Sequence, residues 1–309
     1  MPDAALYREC LRGFVNTWEC DEMGHMNVRF YISRALDGVA SLANQWGLGP
    51  ARLRGLGIQL KPRDQHIRFH REMRPGLACH MAGALLTRDE RSFTIYQELR
   101  RSQDDAICAT FRSQIQAVHQ EDGRAVALDA IDGLQLPDSL AEVPAAGTPR
   151  GMKLRAPRPS PTRGEAVDAG LFKIFSGQVD PQLGNGRGEM RAEAVMGFIS
   201  DGVPHFFDAL GELQRDTDKS IGAAALEYRI VYRATARVGD LLSIHSGLQG
   251  VSSKATLFCH WMFDEESGRC VATSHAVAVC FDLESRRALT IPEDVRPRLE
   301  AQVVEGLRV

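Results

Sequence analysis

The sequence predicts an α+β protein with two copies of one domain, each a long helix wrapped by an antiparallel β-sheet. Three observations support this fold class. The chain repeats itself at a nearly constant interval, each copy contains a long helical pattern, and a run of short alternating segments follows that pattern. With 309 residues, the chain is long enough for two domains of ordinary size.

The repeat appears as matched segments in the two halves of the chain. The segment "RALDGVA" (34–40) aligns with "FISDGVP" (198–204), an interval of 164 residues. Further along, "IRFHREMRPG" (67–76) aligns with "IVYRATARVG" (230–239) at an interval of 163 residues. An interval that is almost unchanged between such distant pairs indicates an internal duplication.

A proline-rich segment, 136–164, lies between the two copies. It contains six of the fourteen prolines of the chain, which argues against a helix or a central strand there. We therefore expect an N-terminal domain over 1–135, a linker over 136–164 and a C-terminal domain over 165–309.

Both copies have the same predicted order of elements. A first strand, 11–19 in copy one and 172–179 in copy two, leads into a loop that contains glycine. The long helical pattern follows, at 27–48 in copy one. Three or four strands then complete each copy, with turn pairs such as "DG" and "SG" between them. Their segments are 65–73, 77–88, 92–101 and 106–119 in copy one, and 225–235, 241–250, 254–264 and 270–282 in copy two.

The composition is that of a globular protein, with 44% hydrophobic and 25% charged residues. A net charge of −3 gives no electrostatic reason to expect a nucleic acid or an anionic membrane as partner. No stretch approaches the roughly 18 apolar residues of a membrane span. The first residues, "MPDAALYREC", lack the apolar core of a signal peptide. These features predict a cytoplasmic protein.

The cysteines and histidines indicate neither a disulfide framework nor a metal site. The seven cysteines are scattered and include no close CxxC pair, which favours free thiols in a reducing compartment. The nine histidines include no HExxH or other paired ligand spacing. "GNGRG" (184–188) looks like a phosphate-binding loop, but it follows no βαβ pattern and lacks the GK[ST] ending. We therefore predict no metal and no cofactor.

The segment "WECDEMGHMN" (18–27) places an acid, a glycine, a histidine and an amide directly before the first helix. Its counterpart in copy two is "QLGNGRGEMR" (182–191). The second segment retains the glycine and the methionine but has lost the acid and the histidine. One interpretation is that these polar residues only start the helix, with Asn27 as its N-cap. The other is that copy one carries a reaction that copy two has lost.

The order of these elements resembles a known fold. A strand, the motif D-x-x-G-H-M-N, a long helix and a meander with "RPG" at a strand end are similar to the hotdog fold. The resemblance is closest to the 4-hydroxybenzoyl-CoA thioesterase-like acyl-CoA thioesterases, and it covers both halves of the chain. It implies two hotdog domains, hydrolysis of an acyl-CoA to a carboxylic acid and coenzyme A, and no cofactor. Pairing of two such chains into a homodimer is a further expectation.

The resemblance also implies which residues do the chemistry. Asp21 matches the aspartate that serves as nucleophile or as general base for water. The backbone N–H at about Val28, in the first turn of the helix, would stabilise the oxyanion. His25 and Asn27 would orient these groups. The residues that we expect to contact the substrate are Gly24, Tyr31 and Asn185.

Other interpretations of the site and of the function remain open. Asp201, with its counterpart Asp37, is a rival catalytic acid, because another hotdog branch keeps its acid on the central helix. A structural role for both aspartates is the alternative. The chain could instead be a hydratase or dehydratase of acyl thioesters, although the "SGDxNPxH" signature is missing. A protein that binds acyl-CoA without turnover is the third candidate.

Overall fold

The computed structural model describes residues 6–211, 221–282, 284–285 and 287–309. The chain divides into two compact units, Met1–Thr148 and Pro149–Val309. The division lies inside the proline-rich segment 136–164. The part before it packs on the first unit, where the Ala141 N–H donates to the Leu85 carbonyl at 2.8 Å. The part after it belongs to the second unit.

The first unit is a five-stranded antiparallel sheet with one long helix. The sheet order is β1-β3-β4-β5-β2. Its elements are β1 (Arg8–Phe14), α1 (Val28–Gln45), α2 (Pro50–Gly55), β2 (Ile58–Phe69), β3 (Ala78–Arg88), β4 (Ser92–Arg101) and β5 (Ile107–His119).

The second unit repeats this plan, with sheet order β7-β10-β9-β8-β6. Its elements are α3 (Arg163–Asp168), β6 (Phe172–Gln178), α4 (Ala194–Leu210), β7 (Ile221–Tyr232), β8 (Leu241–Val251), β9 (Ala255–Asp264), β10 (Cys270–Asp282) and α5 (Arg296–Glu300). In chain order the five strands have 7, 12, 11, 10 and 13 residues in both units. The predicted α+β class and the internal repeat are confirmed.

Helix α1 forms because its apolar residues recur every three or four positions and share one face. That face packs against β1, β3 and β4. Its buried residues are Tyr31, Ile32, Ala35, Gly38, Val39, Leu42 and Ala43. Inside this contact the Gln97 side chain donates to the Ala35 carbonyl at 2.9 Å. A Cβ on Gly38 would lie 2.4 Å from the Gln97 nitrogen, so only glycine allows this close approach.

The first strand differs from its predicted bounds. It begins at Arg8 and ends at Phe14, and residues 17–19 form a 3-10 turn instead of its second half. The Glu19 carboxylate accepts a hydrogen bond from the Asn16 N–H at 2.7 Å, and this capping interaction turns the chain out of the sheet. The turn places the segment 18–27 at the start of α1.

Two properties of the described residues bear on a membrane or a metal ion as partner. None of the helices in this part of the chain has the length and apolar character to cross a bilayer. Within the same residues, no three His, Cys, Asp or Glu side chains are grouped as metal ligands would be.

Candidate active site

Residues 20–27, the motif loop, form a tight turn between the 3-10 turn and α1. The Asp21 N–H donates to the His25 carbonyl at 2.9 Å, and the Gly24 N–H donates to the Asp21 carbonyl at 3.0 Å. Gly24 has a φ of +73°, which only glycine adopts without strain. The loop therefore holds Asp21 and His25 on one short, closed segment.

The two carboxylate oxygens of Asp21 have different surroundings. Oδ1 accepts hydrogen bonds from the N–H groups of Met23 (3.0 Å) and His25 (3.2 Å). Oδ2 accepts no hydrogen bond from the residues that the structure describes. One oxygen thus stabilises the loop, and the other is available to a water molecule or a substrate. The side chain is only half-buried, so both can reach it.

Helix α1 begins directly after the motif loop. Asn27 is its N-cap, and the Asn27 side-chain oxygen accepts from the Arg29 N–H at 3.0 Å. The side chain thus has the helix-entry role that is the common one for asparagine. The N–H of Val28, the first helical residue, has no acceptor within the described part of the chain. It lies at the positive end of the helix dipole and can bind a developing negative charge.

The His25 side chain contacts an acid that the sequence did not predict. Its Nε2 lies 3.1 Å from Oε2 of Glu72, which belongs to the connection between β2 and β3. The two side chains are 16% and 31% exposed, so the pair is partly shielded from solvent. The alignment of "IRFHREMRPG" with "IVYRATARVG" places Thr235 opposite Glu72. The repeat therefore indicates that the acid at this position, like Asp21 and His25, is present in copy one alone.

Tyr31 of α1 contacts the segment that carries Glu72, and it is 4% exposed. Its hydroxyl oxygen accepts a hydrogen bond from the Met73 N–H at 3.1 Å. Burial, with smaller contributions from the charges of Glu72 and Asp21, raises the pKa of the phenol. Tyr31 therefore stays protonated, and its O–H proton has no acceptor among the described residues. The predicted substrate contact is thus a buried group that also anchors the β2–β3 connection.

The second unit contains a loop with the same hydrogen-bonded frame at residues 184–191. The Asn185 N–H donates to the Glu189 carbonyl at 2.8 Å, and the Gly188 N–H donates to the Asn185 carbonyl at 3.0 Å. Oδ1 of Asn185 accepts from the N–H groups of Arg187 (2.9 Å) and Glu189 (3.1 Å). Gly188 has a φ of +70°. An amide oxygen at Asn185 thus makes the same loop contacts as Oδ1 of Asp21.

The side chains around the two frames differ at every position with a proposed chemical role. Asn185 stands at the position of Asp21, Glu189 at that of His25, Arg191 at that of Asn27, Val195 at that of Tyr31 and Thr235 at that of Glu72. The Glu189 carboxylate accepts from the Asn185 side-chain amide at 3.2 Å. The second loop therefore has the same backbone fold, but no carboxylate at the position of Asp21 and no imidazole at the position of His25.

The second long helix also starts differently. α4 begins at Ala194, two residues after Ala192, which is the counterpart of Val28. Glu193 precedes it with helical dihedral angles, and its side chain makes no capping bond to the described residues. The Arg191 side chain donates to two main-chain carbonyls of the preceding loop. The second unit therefore has no first-turn helical N–H at the position that corresponds to Val28.

The rival acid Asp201 lies in the middle of α4, and Asp37 lies at the matching position of α1. Both side chains are exposed, and each has a further interaction with its surroundings. The glycine that follows each aspartate, Gly38 or Gly202, is buried against the sheet. The two aspartates therefore occupy the helix side that faces away from the sheet of their own unit.

Comparison with known proteins agrees with this architecture. A family model described as "Thioesterase-like superfamily" matches residues 15–143 and 185–299, one segment in each unit. The long-chain acyl-CoA thioesterase FadM of Escherichia coli is 32% identical over 87 residues. That match covers 28% of this chain and 66% of FadM, so it spans just under two thirds of the relative.

Two solved structures resemble the chain over nearly its whole length. A putative oleoyl thioesterase from Lactobacillus plantarum has a TM-score of 0.67 and 13% identity, covering 93% of this chain and 97% of that one. The 12:0-ACP thioesterase from Umbellularia californica has a TM-score of 0.66 and 12% identity, covering 88% and 94%. At such identities the likeness demonstrates the fold over nearly the whole chain.

Proposed function

This chain is a tandem hotdog protein that belongs to the thioesterase-like superfamily, and on that basis we propose that it hydrolyses the thioester bond of an acyl-CoA. An acyl-CoA and water would give a carboxylic acid and coenzyme A. The name of FadM supports coenzyme A as the carrier, because that relative acts on long-chain acyl-CoA. The name of the Umbellularia californica enzyme makes acyl-carrier-protein thioesters the natural comparison substrate.

The main support for the proposal is the difference between the loops that contain Asp21 and Asn185. Two loops in one chain share a hydrogen-bonded frame, and only in the first is the side-chain oxygen that accepts the two backbone N–H bonds part of a carboxylate. Because Asn185 makes the loop contacts that Asp21 makes, the frame does not require an acid. The carboxylate at Asp21 is therefore surplus to folding, and Oδ2 is the group that we assign to the reaction.

Either of two roles suits Oδ2 of Asp21. As a general base it would take a proton from water while the water oxygen attacks the thioester carbon. As a nucleophile it would attack that carbon itself, and water would then hydrolyse the resulting anhydride. In both cases the carbon–sulfur bond breaks, the sulfur leaves as a thiolate and takes up a proton. The Val28 N–H would stabilise the oxyanion. Gly24 would let the thioester approach the backbone of the loop closely, because glycine has no side chain.

A screen for free thiol tests the proposal. The wild-type chain is incubated with acyl-CoA and acyl-carrier-protein substrates of varied length, and Asp21→Asn and Asp201→Asn are assayed beside it. We expect Asp21→Asn to lower kcat by at least about a hundredfold. Asp201→Asn should remain within a few-fold of wild type. The opposite pattern would move the catalytic acid to α4.

The contact between His25 and Glu72 favours one second candidate. A hydratase or dehydratase needs such a pair to move a proton to or from carbon. Incubation with crotonyl-CoA separates the two functions, because hydration consumes the double bond without releasing thiol. We expect thiol release and no accumulation of the hydrated thioester.

A further inference from the structure

We propose that Glu72 is a positioning residue that holds the His25 imidazole in one tautomer and one orientation for the reaction at Asp21. The inference rests on the proposed function, and it adds a residue that the family resemblance did not indicate. Its first support is the contact itself, because Nε2 of His25 lies 3.1 Å from Oε2 of Glu72.

The chemistry of the contact determines the tautomer of the ring. An ionised carboxylate only accepts hydrogen bonds, so Nε2 of His25 must carry the proton that faces Glu72. In a neutral ring Nδ1 is then the nitrogen with the lone pair. Nδ1 has no partner among the described residues. It is therefore free to accept a proton or a hydrogen bond from a water molecule that approaches Asp21.

The segment that carries Glu72 is fixed by two hydrogen bonds to the backbone of Met73, the next residue. The Met73 N–H donates to the Tyr31 hydroxyl at 3.1 Å, and the Met73 carbonyl accepts from the Met26 N–H at 2.7 Å. One bond ties the segment to α1, and the other ties it to the motif loop. Together they fix the distance between the backbone of Glu72 and that of His25. The two side chains are therefore pre-organised for their contact.

The second unit shows which part of this arrangement the fold needs. There the Met190 N–H still donates to the Ala236 carbonyl at 2.8 Å, the counterpart of the bond from Met26 to Met73. The side chains of the arrangement are all replaced, with Glu189 for His25, Thr235 for Glu72 and Val195 for Tyr31. The second unit has thus kept the backbone pairing, whereas the contact between an imidazole and a carboxylate is absent from these positions. We attribute the pair to chemistry for this reason.

The contact also contributes little to stability. A partly exposed contact with a carboxylate is screened by water and has a small net effect on folding. Substitutions at Glu72 should therefore change the rate of the reaction much more than the melting temperature. A residue with a merely structural role would show the reverse.

Two variants of Glu72 and one control provide the kinetic test. Glu72→Leu removes the acceptor for Nε2, and Glu72→Gln retains an acceptor oxygen without the charge. Glu121→Gln removes one exposed negative charge elsewhere in the first unit. We expect Glu72→Leu to lower kcat at least about tenfold with little change in KM, and Glu72→Gln to recover much of that loss. Glu121→Gln should match wild type.

A double variant shows whether Glu72 acts through His25. In the His25→Ala background the ring is gone, so Glu72→Leu should cause no further loss of kcat. Losses that multiply in the double variant would overturn the inference, because Glu72 would then act independently of the ring.

A spectroscopic test does not depend on turnover. In protein with ¹⁵N-labelled histidine at alkaline pH, the His25 signals are assigned by their absence in His25→Ala. We expect the Nε2–H tautomer in wild type and in Glu72→Gln, and a mixture of tautomers in Glu72→Leu. If no thioester is cleaved but the tautomer changes as expected, the proposed function fails and the positioning role stands. If thiol is released but Glu72→Leu changes neither kcat nor tautomer, the positioning role fails alone.

Discussion

The loops at residues 20–27 and 184–191 have the same backbone hydrogen bonds but different side chains at the positions of Asp21 and His25. Both need an oxygen at the first turn position and a glycine with positive φ three residues later. Aspartate and asparagine supply that oxygen equally well. The comparison separates what the turn requires from what a reaction requires, since only the first loop has a carboxylate at that turn position, together with an imidazole and a helix that starts two residues earlier.

The buried centre of each unit differs in a similar way. Gln97 of β4 and His260 of β9 occupy the same register position, 163 residues apart, and both are almost fully buried. Gln97 donates to the Ala35 carbonyl of α1, whereas Nδ1 of His260 shares a 2.7 Å hydrogen bond with the Ser246 hydroxyl. The first unit thus has a neutral amide where the second has a titratable ring.

The largest effect is expected when His25 of the first loop is replaced by the glutamate that the second loop has at that position. His25→Glu should lower kcat about a hundredfold, because it removes the ring and adds a negative charge beside Asp21 and Glu72. Glu189→His is the matched control and should leave turnover unchanged, since Thr235 provides no carboxylate for the new ring. Steady-state thiol release measures both variants, and turnover in His25→Glu close to wild type would remove His25 from the site.

The second unit should lose stability in acid before the first. Burial lowers the pKa of His260 to about 3 and that of His275 to about 4. The unfolded chain binds these protons near pH 6.5, so the free energy of unfolding falls as the pH drops from there. For His260 the loss down to pH 4 is about 3 kcal/mol.

The substitution His260→Gln copies Gln97 and should remove most of this acid sensitivity. Urea unfolding at pH 7 and pH 4, followed by pulse-labelling hydrogen exchange, reports the two units separately. Equal acid sensitivity in wild type and His260→Gln would show that the buried ring is not its cause.

Loss of the first helix cap should affect stability and turnover together. Asn27→Ala removes the acceptor for the Arg29 N–H, which should cost about 1 kcal/mol of folding free energy. It should also lower kcat about tenfold, because the Val28 N–H is no longer fixed. Thr162→Ala removes a comparable cap from α3. Thermal melts and thiol release measured side by side should show a stability loss in both variants and a loss of kcat in Asn27→Ala alone.

The smallest effects are expected at the two turn glycines. A Cβ at Gly24 or Gly188 meets no atom within 4 Å, so substitution costs only backbone strain. Gly24→Ala and Gly188→Ala should each lower the unfolding free energy by about 1 kcal/mol. Urea melts measure this loss, and a large difference between the two variants would mean that the loops are not equivalent.

Much of the fold follows from local patterns, whereas parts of the site do not. The strands at 92–101 and 270–282 have the predicted bounds, because alternation and turn pairs define both ends. The first strand was predicted too long, since a capping interaction between Asn16 and Glu19 ends the extended chain. The contact between His25 and Glu72 joins residues far apart in sequence, so local patterns do not predict it. The one indication in the sequence is that copy two has replaced both residues.

The exchange of acid and amide between the two loops tests the central claim most directly. The double variant Asp21→Asn with Asn185→Asp has the composition and net charge of the wild type, and each loop keeps an oxygen for its frame. We expect a wild-type melting temperature and a loss of thiol release of at least about a hundredfold, because the second loop lacks the imidazole, the phenol and the helix start. Thiol release at the wild-type rate would contradict the account, since the reaction would then not depend on a carboxylate in the first loop.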